Sequence, residues 1–572
     1  MDIGGIASRP TLATSPYREP IRSLSQCHNA TQLSKIPFMG QKKDQAAVRW
    51  WQRGVIYQIY PRSFADSNGD GVGDLRGIIG KLDYIRWLGA DAVWISPIYP
   101  SPMADFGYDI TDYTNIDPLF GTLEDFDVLL SSAHRLNLKI VLDLVPNHTS
   151  DAHPWFLESR SSRNNPKRDW YIWKDPAPDG GPPNNWLSAF GGSAWEWDRA
   201  TKQFYYHAHL KQQPDLNWRN QEVQAAIHQA MRFWLDRGVD GFRVDVIWHL
   251  IKDDQFRSNP PNPEYRPGER PYRELLATYT TDRPEVHDII GGMRAVVDEY
   301  EDRLLIGEIY LPVDRLVTYY GTAAGGVHLP FNFQLIEIAW HAPTIAATIA
   351  AYEAALPSHG WPNWVLGNHD KPRLATRIGE AQARVAAMLL LTLRGTPTLY
   401  YGDEIGMTDV PIPPDLIRDP WEKNVPGFGV GRDPARTPMQ WDDTAQAGFT
   451  TGSPWLPVAP QALTINVAAQ RANHSSMLNL YRRLIELRRA ELALSLGAYK
   501  PGLTTNEVML YSRELGTTRL LIALNFSHQP QTVALVRTRG AILLSTHLDR
   551  NGEPFENKLM LQADEGIVAK LR

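Results

Sequence analysis

The chain has 572 residues, of which 43% are hydrophobic and 21% are charged, and its formal net charge is −6 at pH 7. A chain of this length is expected to form two or three domains. The mildly acidic balance offers no basic stripe for nucleic acid, and no run approaches the roughly 18 apolar residues of a membrane span, so neither partner is expected. The single cysteine, Cys27, excludes an intramolecular disulfide framework.

The first 48 residues carry serine, threonine, proline and scattered basic residues without helical or alternating periodicity. This composition predicts a disordered or loosely docked extension over residues 1–48. Because the sequence shows no basic and then apolar leader, the expected location is cytoplasmic, with periplasmic export by an unrecognised signal as the alternative.

A polar loop after the first predicted strand has the donor pattern of a metal site. Oxygen-bearing side chains recur along it, Gly71 allows a sharp turn, and one carbonyl is free, as in a calcium loop of the EF-hand type. The twelfth position is Gly77, where an EF-hand has a bidentate glutamate, so we predict a structural Ca²⁺ site, with Mg²⁺ as an alternative, and no calcium switch. A metal-free turn is the other interpretation. The predicted ligands are Asp66, Asn68, Asp70, the carbonyl of Val72, and Asp74.

Apolar strands alternate with amphipathic helices over most of the remaining chain. Such alternation is typical of a parallel sheet covered by helices on both faces. Eight strand-helix units predict an α/β fold of the (β/α)8 TIM-barrel type, whose active site lies at the carboxyl ends of the strands. The predicted strands are near 55–60, 91–95, 138–145, 238–246, 303–309, 328–331, 364–370 and 397–402, and clear helices cover 75–88, 122–136 and 223–237.

Two segments depart from this alternation. Residues 149–222 are rich in Trp, Asn, Gly and Pro, which indicates a small inserted domain after the third strand. Short alternating strands separated by turn residues indicate a C-terminal antiparallel β domain, sandwich-like, within residues 476–572. The catalytic barrel is therefore assigned to residues 49–148 and 223–475.

Charged residues stand inside the fourth predicted strand. Arg243 and Asp245 lie two residues apart, so their side chains point from the same strand face. Burying charges is costly, and the pair is either a structural ion pair or part of a functional site. Polar residues at the ends of other strands favour the site, because they would meet at one face of a barrel. These residues are Asp143, His148, Glu308, His369 and Asp370.

Five motifs in order carry a resemblance to a known family: Asp143–His148, Gln213–Asn217, Gly241–Asp245, Gly307–Ile309 and Asn368–Asp370. With them, the chain resembles the α-amylase family of glycoside hydrolases over nearly all of residues 50–570. Segments 57–64 and 436–441, with the calcium-type loop, resemble the α-glucosidase and oligo-1,6-glucosidase branch. Segments 284–286, 319–321, 328–333 and 363–369 resemble maltase-type α-glucosidases in particular.

The resemblance implies roles for the carboxylates. Asp245 would be the nucleophile and Glu308 the acid/base of a retaining glycosidase, which uses one carboxyl group for each task. Arg243 would keep Asp245 ionised, and partial burial with neighbouring carboxylates would raise the pKa of Glu308. Asp370 would be the third catalytic carboxylate, holding sugar hydroxyls.

The resemblance also implies a substrate-binding set. His148 and His369 would hydrogen-bond the same sugar, and Tyr108 would form its stacking floor. Asp105 and Arg436 would clasp the terminal hydroxyl of the non-reducing glucose and so close the pocket to longer chains.

The expected function is that of an exo-acting α-glucosidase on short oligosaccharides or disaccharides, in a monomer or homodimer. The linkage stays open, because Val246 after the nucleophile tends to accompany α-1,6 activity, whereas the maltase-type resemblance favours α-1,4 linkages and sucrose. One alternative is a glucosyltransferase or isomerase of the sucrose isomerase, trehalose synthase or amylosucrase type. Another is a non-catalytic, transporter-associated chain, which the complete set of catalytic positions disfavours.

Overall fold

The computed structural model describes residues 48–572, so nearly all of the predicted extension lies outside the described residues. The strands in chain order are β1 (Ile56–Ile59), β2 (Ala92–Ile95), β3 (Lys139–Leu144), β4 (Trp173–Lys174), β5 (Trp195–Asp198), β6 (Gln203–Tyr206), β7 (Gly241–Val244), β8 (Leu304–Gly307), β9 (Leu329–Pro330), β10 (Asn363–Val365), β11 (Thr396–Tyr400), β12 (Ala498–Thr504), β13 (Val508–Leu515), β14 (Thr518–Asn525), β15 (Gln531–Ser545), β16 (Pro554–Leu561) and β17 (Gly566–Leu571).

The α-helices surround and connect these strands. They are α1 (Trp50–Arg53), α2 (Pro61–Phe64), α3 (Leu75–Ile79), α4 (Leu82–Leu88), α5 (Leu123–Arg135), α6 (Pro154–Ser161), α7 (Gln221–Arg237), α8 (Val286–Asp298), α9 (Val313–Leu316), α10 (Gln334–Glu337), α11 (Ala342–Ala355), α12 (Leu374–Ile378), α13 (Glu380–Thr392), α14 (Pro420–Asn424), α15 (Val467–Ala472), α16 (Met477–Ala490) and α17 (Leu492–Leu496). No helix within residues 48–572 has both the length and the apolar character that crossing a bilayer requires.

Eight parallel strands form one nearly closed sheet, in the order β10, β11, β1, β2, β3, β7, β8 and β9. Most of their residues are apolar and buried, because side chains fill the barrel interior and helices cover its outside. The register sets Asp143 beside Arg243 and Val244 beside Gly307, which aligns the carboxyl ends of β3, β7 and β8. The predicted TIM barrel is therefore confirmed.

One predicted helix is two helices in the structure. The segment 75–88 breaks after Ile79, and a second helix begins at Leu82. The Asp74 side chain caps the first of them by accepting the N–H of Gly77 at 2.7 Å. Gly80 follows the last turn, and glycine propagates a helix poorly, so the chain turns there before the amphipathic pattern resumes.

The inserted segment between β3 and α7 contains a three-stranded antiparallel sheet in the order β4, β6, β5. Its aromatic residues form a separate small core of Trp186, Trp195, Phe204 and Tyr206. Asp215 joins this segment to the barrel, because it pairs with His148 in an isolated antiparallel bridge. Of the tryptophans in this segment, Trp186 and Trp195 belong to this small core, whereas Trp170 and Trp218 pack in the main barrel core.

The C-terminal strands form a single six-stranded antiparallel sheet in the order β12, β13, β14, β17, β15, β16. The expected antiparallel β domain is present, but a sandwich of two hydrogen-bonded sheets is not what the structure has. Alternate residues explain the difference, since one face joins the main barrel core through Met509, Tyr511 and Ile522. The opposite face forms its own cluster with Leu510 and Ala523. The barrel helices thus cover the face that a second sheet would cover in a sandwich.

Candidate active site

A cavity of about 580 Å³ opens where the parallel strands end. Asp245 follows β7 directly, Glu308 follows β8 directly, and Asp370 lies beyond the end of β10, so three strands contribute a carboxylate to one wall. The other predicted residues in its lining are Asp105, Tyr108, His148 and His369. Arg243 and Arg436 are fully buried behind the wall.

Arg243 connects the carboxylates of three strands. Its Nη1 lies 2.9 Å from Oδ1 of Asp143 and 2.7 Å from Oδ1 of Asp245. Its Nη2 lies 2.8 Å from Oε2 of Glu308. The guanidinium is also 5.0 Å from the ring of Trp94, which packs against its face. A planar group with several fixed donors can hold these carboxylates in one arrangement, which a lysine cannot do.

The electrostatics of Asp245 and Glu308 are coupled. Burial raises the pKa of Asp245 most, the charge of Glu308 raises it further, and Arg243 opposes both effects. Burial likewise raises the pKa of Glu308, with Arg243 opposing and Asp370 adding to the rise. Arg243 therefore limits the rise for Asp245 without removing it. Two such carboxyl groups titrate as a pair, and the pair retains one proton to higher pH than either group alone.

Asp143 supports the site from behind. Its Oδ2 accepts hydrogen bonds from Nε1 of Trp94 at 3.2 Å and from the hydroxyl of Tyr108 at 3.0 Å. Burial raises its pKa to about 6, and Arg243 is the largest influence in the opposite direction. Since Asp143 is not in the cavity lining, it orders Arg243 and Tyr108.

His369 is held as a neutral imidazole. Its Nδ1 lies 2.8 Å from Nε2 of Gln58, and its Nε2 lies 2.6 Å from the hydroxyl of Tyr108. The Tyr108 and His369 rings stack at 5.4 Å between centroids with 6° between their planes. Burial lowers the pKa of His369 to about 3. Both ring nitrogens are therefore engaged by protein groups, which fixes the ring in the lining of the cavity.

Asp370 is held in its ionised form by neighbouring cations. Its Oδ1 lies 2.9 Å from Nη2 of Arg436 and 3.5 Å from Nη1 of Arg432. Burial acts to raise its pKa, but His369 and these two arginines lower it overall. A carboxylate that stays ionised and still reaches the cavity is suited to accept hydrogen bonds from hydroxyl groups.

The predicted clasp around the terminal hydroxyl named Arg436, but the arginine that lines the cavity beside Asp105 is Arg432. Asp105 lies 2.6 Å from Nη2 of Arg432, and the same guanidinium contacts Asp419 at 2.7 Å. Arg436 instead binds Asp370 and the carbonyl of His369. Both arginines belong to one short segment, and spacing alone could not show which of them turns towards Asp105. The arginine that closes this end of the cavity is Arg432.

His148 is fixed by its neighbours and lines the same end. Its Nε2 lies 3.0 Å from the carbonyl of Tyr108 and 3.1 Å from Nε2 of Gln213. Gln213 also donates to Asp105 at 3.3 Å, so it links the two residues. Burial lowers the pKa of His148, which therefore stays neutral at working pH.

Little in the sequence predicts the remaining wall of the cavity. Aromatic side chains from separate loops face it, and their presence was only suggested by the high aromatic content of the chain. Two of them, Tyr310 and Phe333, stack at 4.3 Å with 6° between their planes. The other aromatic residues of this wall are Phe190, Trp248, Tyr272 and Trp421.

Val246 has an unusual main-chain conformation beside the carboxylates. Its φ is 36° and its ψ is 46°, in the left-handed region. Every other non-glycine residue with a positive φ among residues 48–572 is unbranched at Cβ, so Val246 is the one β-branched residue in this conformation. Such a conformation costs on the order of 1–3 kcal/mol and is found where the surroundings enforce it.

The predicted metal loop has the expected oxygen donors. Asp66 accepts the N–H groups of Asn68 at 2.9 Å and of Gly69 and Gly71 at 2.8 Å. Within residues 48–572, only His547, Asp549 and Glu565 bring three acidic or histidine ligand atoms within 4.8 Å of one another. The ligand atoms of the three aspartates in the loop are therefore further apart. The donor types fit a hard cation, and their spacing would have to contract around it.

A barrel that gathers carboxylates and a buried arginine at its strand ends has the organisation of a glycoside hydrolase. The model of the α-amylase catalytic domain matches residues 58–497, and the chain belongs to the α-amylase family of glycoside hydrolases. The family resemblance seen in the sequence is therefore confirmed.

The relatives of this chain differ in their named activities. A protein of Rhizobium meliloti (strain 1021) named "Probable alpha-glucosidase" is 42% identical over 506 residues, 86% of this chain and 92% of that protein. The "Oligo-1,6-glucosidase" of Parageobacillus thermoglucosidasius is 40% identical over 569 residues, 91% of this chain and 99% of that protein. The crystal structure of the α-glucosyl transfer enzyme XgtA matches with a TM-score of 0.87 and 42% identity, covering 92% of this chain and 100% of that one.

Proposed function

We propose that this glycoside hydrolase is an exo-acting α-glucosidase that releases glucose from the non-reducing end of short α-glucosides with retention of configuration. The observation that carries this proposal is the buried ion-pair chain from Asp370 through Arg432 to Asp105 at one end of the cavity. A sugar seated at Asp245 would meet this chain with its far hydroxyls. Such a wall favours terminal sugars over internal ones.

The chemistry follows from the positions of the two central carboxyl groups. Asp245 attacks the anomeric carbon while Glu308 gives its proton to the departing glycosidic oxygen, so one bond to carbon forms as the other breaks. Glu308, now a carboxylate, then takes a proton from water as the water displaces Asp245. Two inversions at one carbon return the α configuration.

Arg243 is suited to both stages of this reaction because it contacts both carboxyl groups. Before the first step the negative charge lies on Asp245, 2.7 Å from Nη1. In the covalent intermediate Asp245 is a neutral ester and the charge lies on Glu308, 2.8 Å from Nη2. At each stage one of these two carboxyl groups is therefore an anion beside the same fixed cation, which limits reorganisation during the reaction.

Glucosyl transfer is the alternative reaction of the same intermediate. The likeness to the α-glucosyl transfer enzyme XgtA supports it, as does the aromatic wall of Trp248, Tyr310 and Phe333, on which a sugar acceptor could stack. Hydrolysis and transfer differ only in whether water or a hydroxyl of an acceptor reaches the anomeric carbon.

Product analysis distinguishes the two reactions. Purified protein is incubated separately with maltose, isomaltose, sucrose and p-nitrophenyl α-glucoside, and glucose and new oligosaccharides are followed together, with Glu308→Gln as the inactive control. Release of glucose without new oligosaccharides is the expected result and ranks the linkages. Isomerised or elongated sugars with little free glucose would replace the proposal with glucosyl transfer.

We further propose that the loop 66–74 binds a structural Ca²⁺ ion, which the alternation of oxygen donors supports. Added Ca²⁺ is expected to raise the melting temperature of protein treated with EGTA by a few degrees, because a ligand of the native state stabilises it. The exposed Asp70 gives a matched control, since Asp70→Ala should remove the shift. A melting temperature that responds to neither Ca²⁺ nor EGTA would disprove the site.

A further inference from the structure

The pairing of the strands directs the peptide N–H of Val246 towards Glu308, the acid/base residue. In β7 successive residues bond alternately to the two neighbouring strands. Val244 accepts the N–H of Glu308 at 3.0 Å on the β8 side, and Asp245 donates its N–H to Leu144 at 2.8 Å on the β3 side. The N–H of Val246 faces β8 again, at a point beyond Gly307, the last residue of that strand. There it donates to the Oε2 atom of Glu308 at 2.9 Å.

The left-handed conformation of Val246 ends the strand at this point. The chain enters a short 3-10 turn, which closes when His249 donates its N–H to the Val246 carbonyl at 2.8 Å. A β-branched side chain disfavours this conformation. The turn requires this conformation, so the surroundings of Val246 hold the chain here against the preference of its own side chain.

The two oxygens of Glu308 have different partners. Oε2 accepts the N–H of Val246 and lies 2.8 Å from Nη2 of Arg243. No N–H group within residues 48–572 donates to Oε1. An oxygen that accepts a hydrogen bond and faces a cation favours the ionised form, so the proton of the neutral carboxyl group belongs on the other oxygen.

We infer that the peptide N–H of Val246 is a positioning group, which fixes the Glu308 carboxyl so that Oε1 carries the proton given to the departing oxygen. This inference rests on the proposed glucosidase function. The proton on Oε1 passes to the glycosidic oxygen, which keeps the electron pair of the broken bond to carbon. The resulting carboxylate keeps both partners of Oε2 until water supplies the next proton.

The titration of Glu308 depends on every charged group around it. These are Arg243 and Asp245 from the end of β7, Asp143 from β3, Asp370 from beyond β10, and Tyr310 just after β8. Burial is the largest influence and raises the pKa of Glu308, whereas the bond from Val246 lowers it. Loss of that one bond should leave the other influences in place and move the pKa upwards.

An amide-to-ester replacement at position 246 tests the inference. Incorporation of α-hydroxyvaline keeps the side chain and removes only the N–H. With p-nitrophenyl α-glucoside, we expect kcat to fall about ten- to a hundredfold and the alkaline limb of kcat/KM to move to higher pH. A purely structural role would lower the amount of folded enzyme and leave the alkaline limb where it is.

Two controls separate the N–H from its surroundings. An ester at His249 removes a hydrogen bond of the same turn that does not involve Glu308, and should leave the alkaline limb unmoved. Val246→Gly keeps the N–H and adopts the left-handed conformation readily, so it should also leave that limb unmoved. A shift of the limb in either control, or no shift in the ester at 246, would overturn the inference.

The same experiment keeps the two proposals apart. Wild-type protein without glucose release would contradict the proposed function and leave no pH profile to compare. Wild-type protein with a bell-shaped profile that the ester at Val246 does not change would leave the proposed function standing and contradict the positioning role alone.

Discussion

Two buried arginine sites, one in the barrel and one in the C-terminal sheet, show how the partner decides what a buried cation does. Arg243, at the carboxyl ends of the strands, contacts three carboxylates and borders the cavity. Arg513, in the C-terminal sheet, is equally buried and binds main-chain carbonyls instead, those of Leu494 at 2.6 Å and Gly497 at 2.7 Å. A second buried arginine, Arg488, donates beside it to Leu494 at 2.9 Å.

The two sites differ in the charge of the groups that the arginine binds, although they are alike in burial. Three carboxylates raise the pKa of Arg243 against the effect of burial. Burial, with the charge of Arg488, lowers the pKa of Arg513 to about 9. The carbonyls that Arg513 and Arg488 bind belong to the carboxyl ends of α13 and α17, where a cation satisfies free acceptors and favours the helix dipole. Carbonyl partners make a buried arginine structural, and titratable partners make it part of the chemistry.

The largest effect is expected from the carboxylates around Arg243. Asp245→Ala or Glu308→Gln should lower kcat by more than roughly three orders of magnitude, because each removes a group that forms or breaks a bond. Steady-state assays with p-nitrophenyl α-glucoside measure the loss, and circular dichroism checks that the fold is kept. Near-normal turnover in either variant would refute the mechanism.

The next largest effect comes from exchanging the arginines themselves. Arg243→Met should lower kcat at least about a hundredfold, because three carboxylates lose their common cation. Arg513→Met should keep kcat of the folded enzyme within about twofold and lower the free energy of unfolding by roughly 2–4 kcal/mol, since several carbonyls lose donors. Denaturant titration and active-site titration measure the two quantities. A loss of kcat in the Arg513 variant would break the comparison.

A smaller effect is expected at the closed end of the cavity. Arg432→Met should lower kcat/KM for maltose about ten- to a hundredfold, because the substrate then meets Asp105 without its partner. The same change should weaken the preference for short over long substrates, which a series of maltooligosaccharides measures. Lys423→Met, in the nearby helix α14 and outside the cavity lining, is the control and should match wild type.

The smallest effect concerns the pH profile. The charges of Asp143 and Glu308 act on each other, and Asp143 lies outside the cavity lining. Glu308 must be protonated for the first step, so activity is lost as the pH rises through its raised pKa. Asp143→Asn removes a negative charge and should move the alkaline limb of kcat/KM to lower pH. A shift of the alkaline limb to higher pH would contradict this explanation.

Much of the fold was predictable because its signals are local. Each barrel strand is a short, mostly apolar run, and the structure has a strand that overlaps every predicted one. The break between α3 and α4 was missed, because an amphipathic pattern continues across Gly80. The single C-terminal sheet was missed for another reason, since which face the barrel covers depends on contacts between residues far apart in sequence.

The site was predictable where a residue follows a strand directly and less so elsewhere. Asp245 and Glu308 are positioned by the register of β7 and β8, which the strand pattern already implies. Arg432 and Gln213 lie on long loops, whose course no periodicity predicts. The family resemblance therefore named Arg436 for the clasp with Asp105, but the loop conformation places Arg432 there.

The barrel sheet is joined edge to edge everywhere except in one place. Within residues 48–572, β9 and β10 stand at the two ends of the strand order and share no ladder. The loops after these strands carry Phe333 and Asp370, so the two sides of the cavity meet across this seam. Main-chain amides along it lack cross-strand protection, and in hydrogen exchange we expect them to open before the rest of the barrel. The seam would then let the pocket widen for an incoming sugar while every paired strand stays intact.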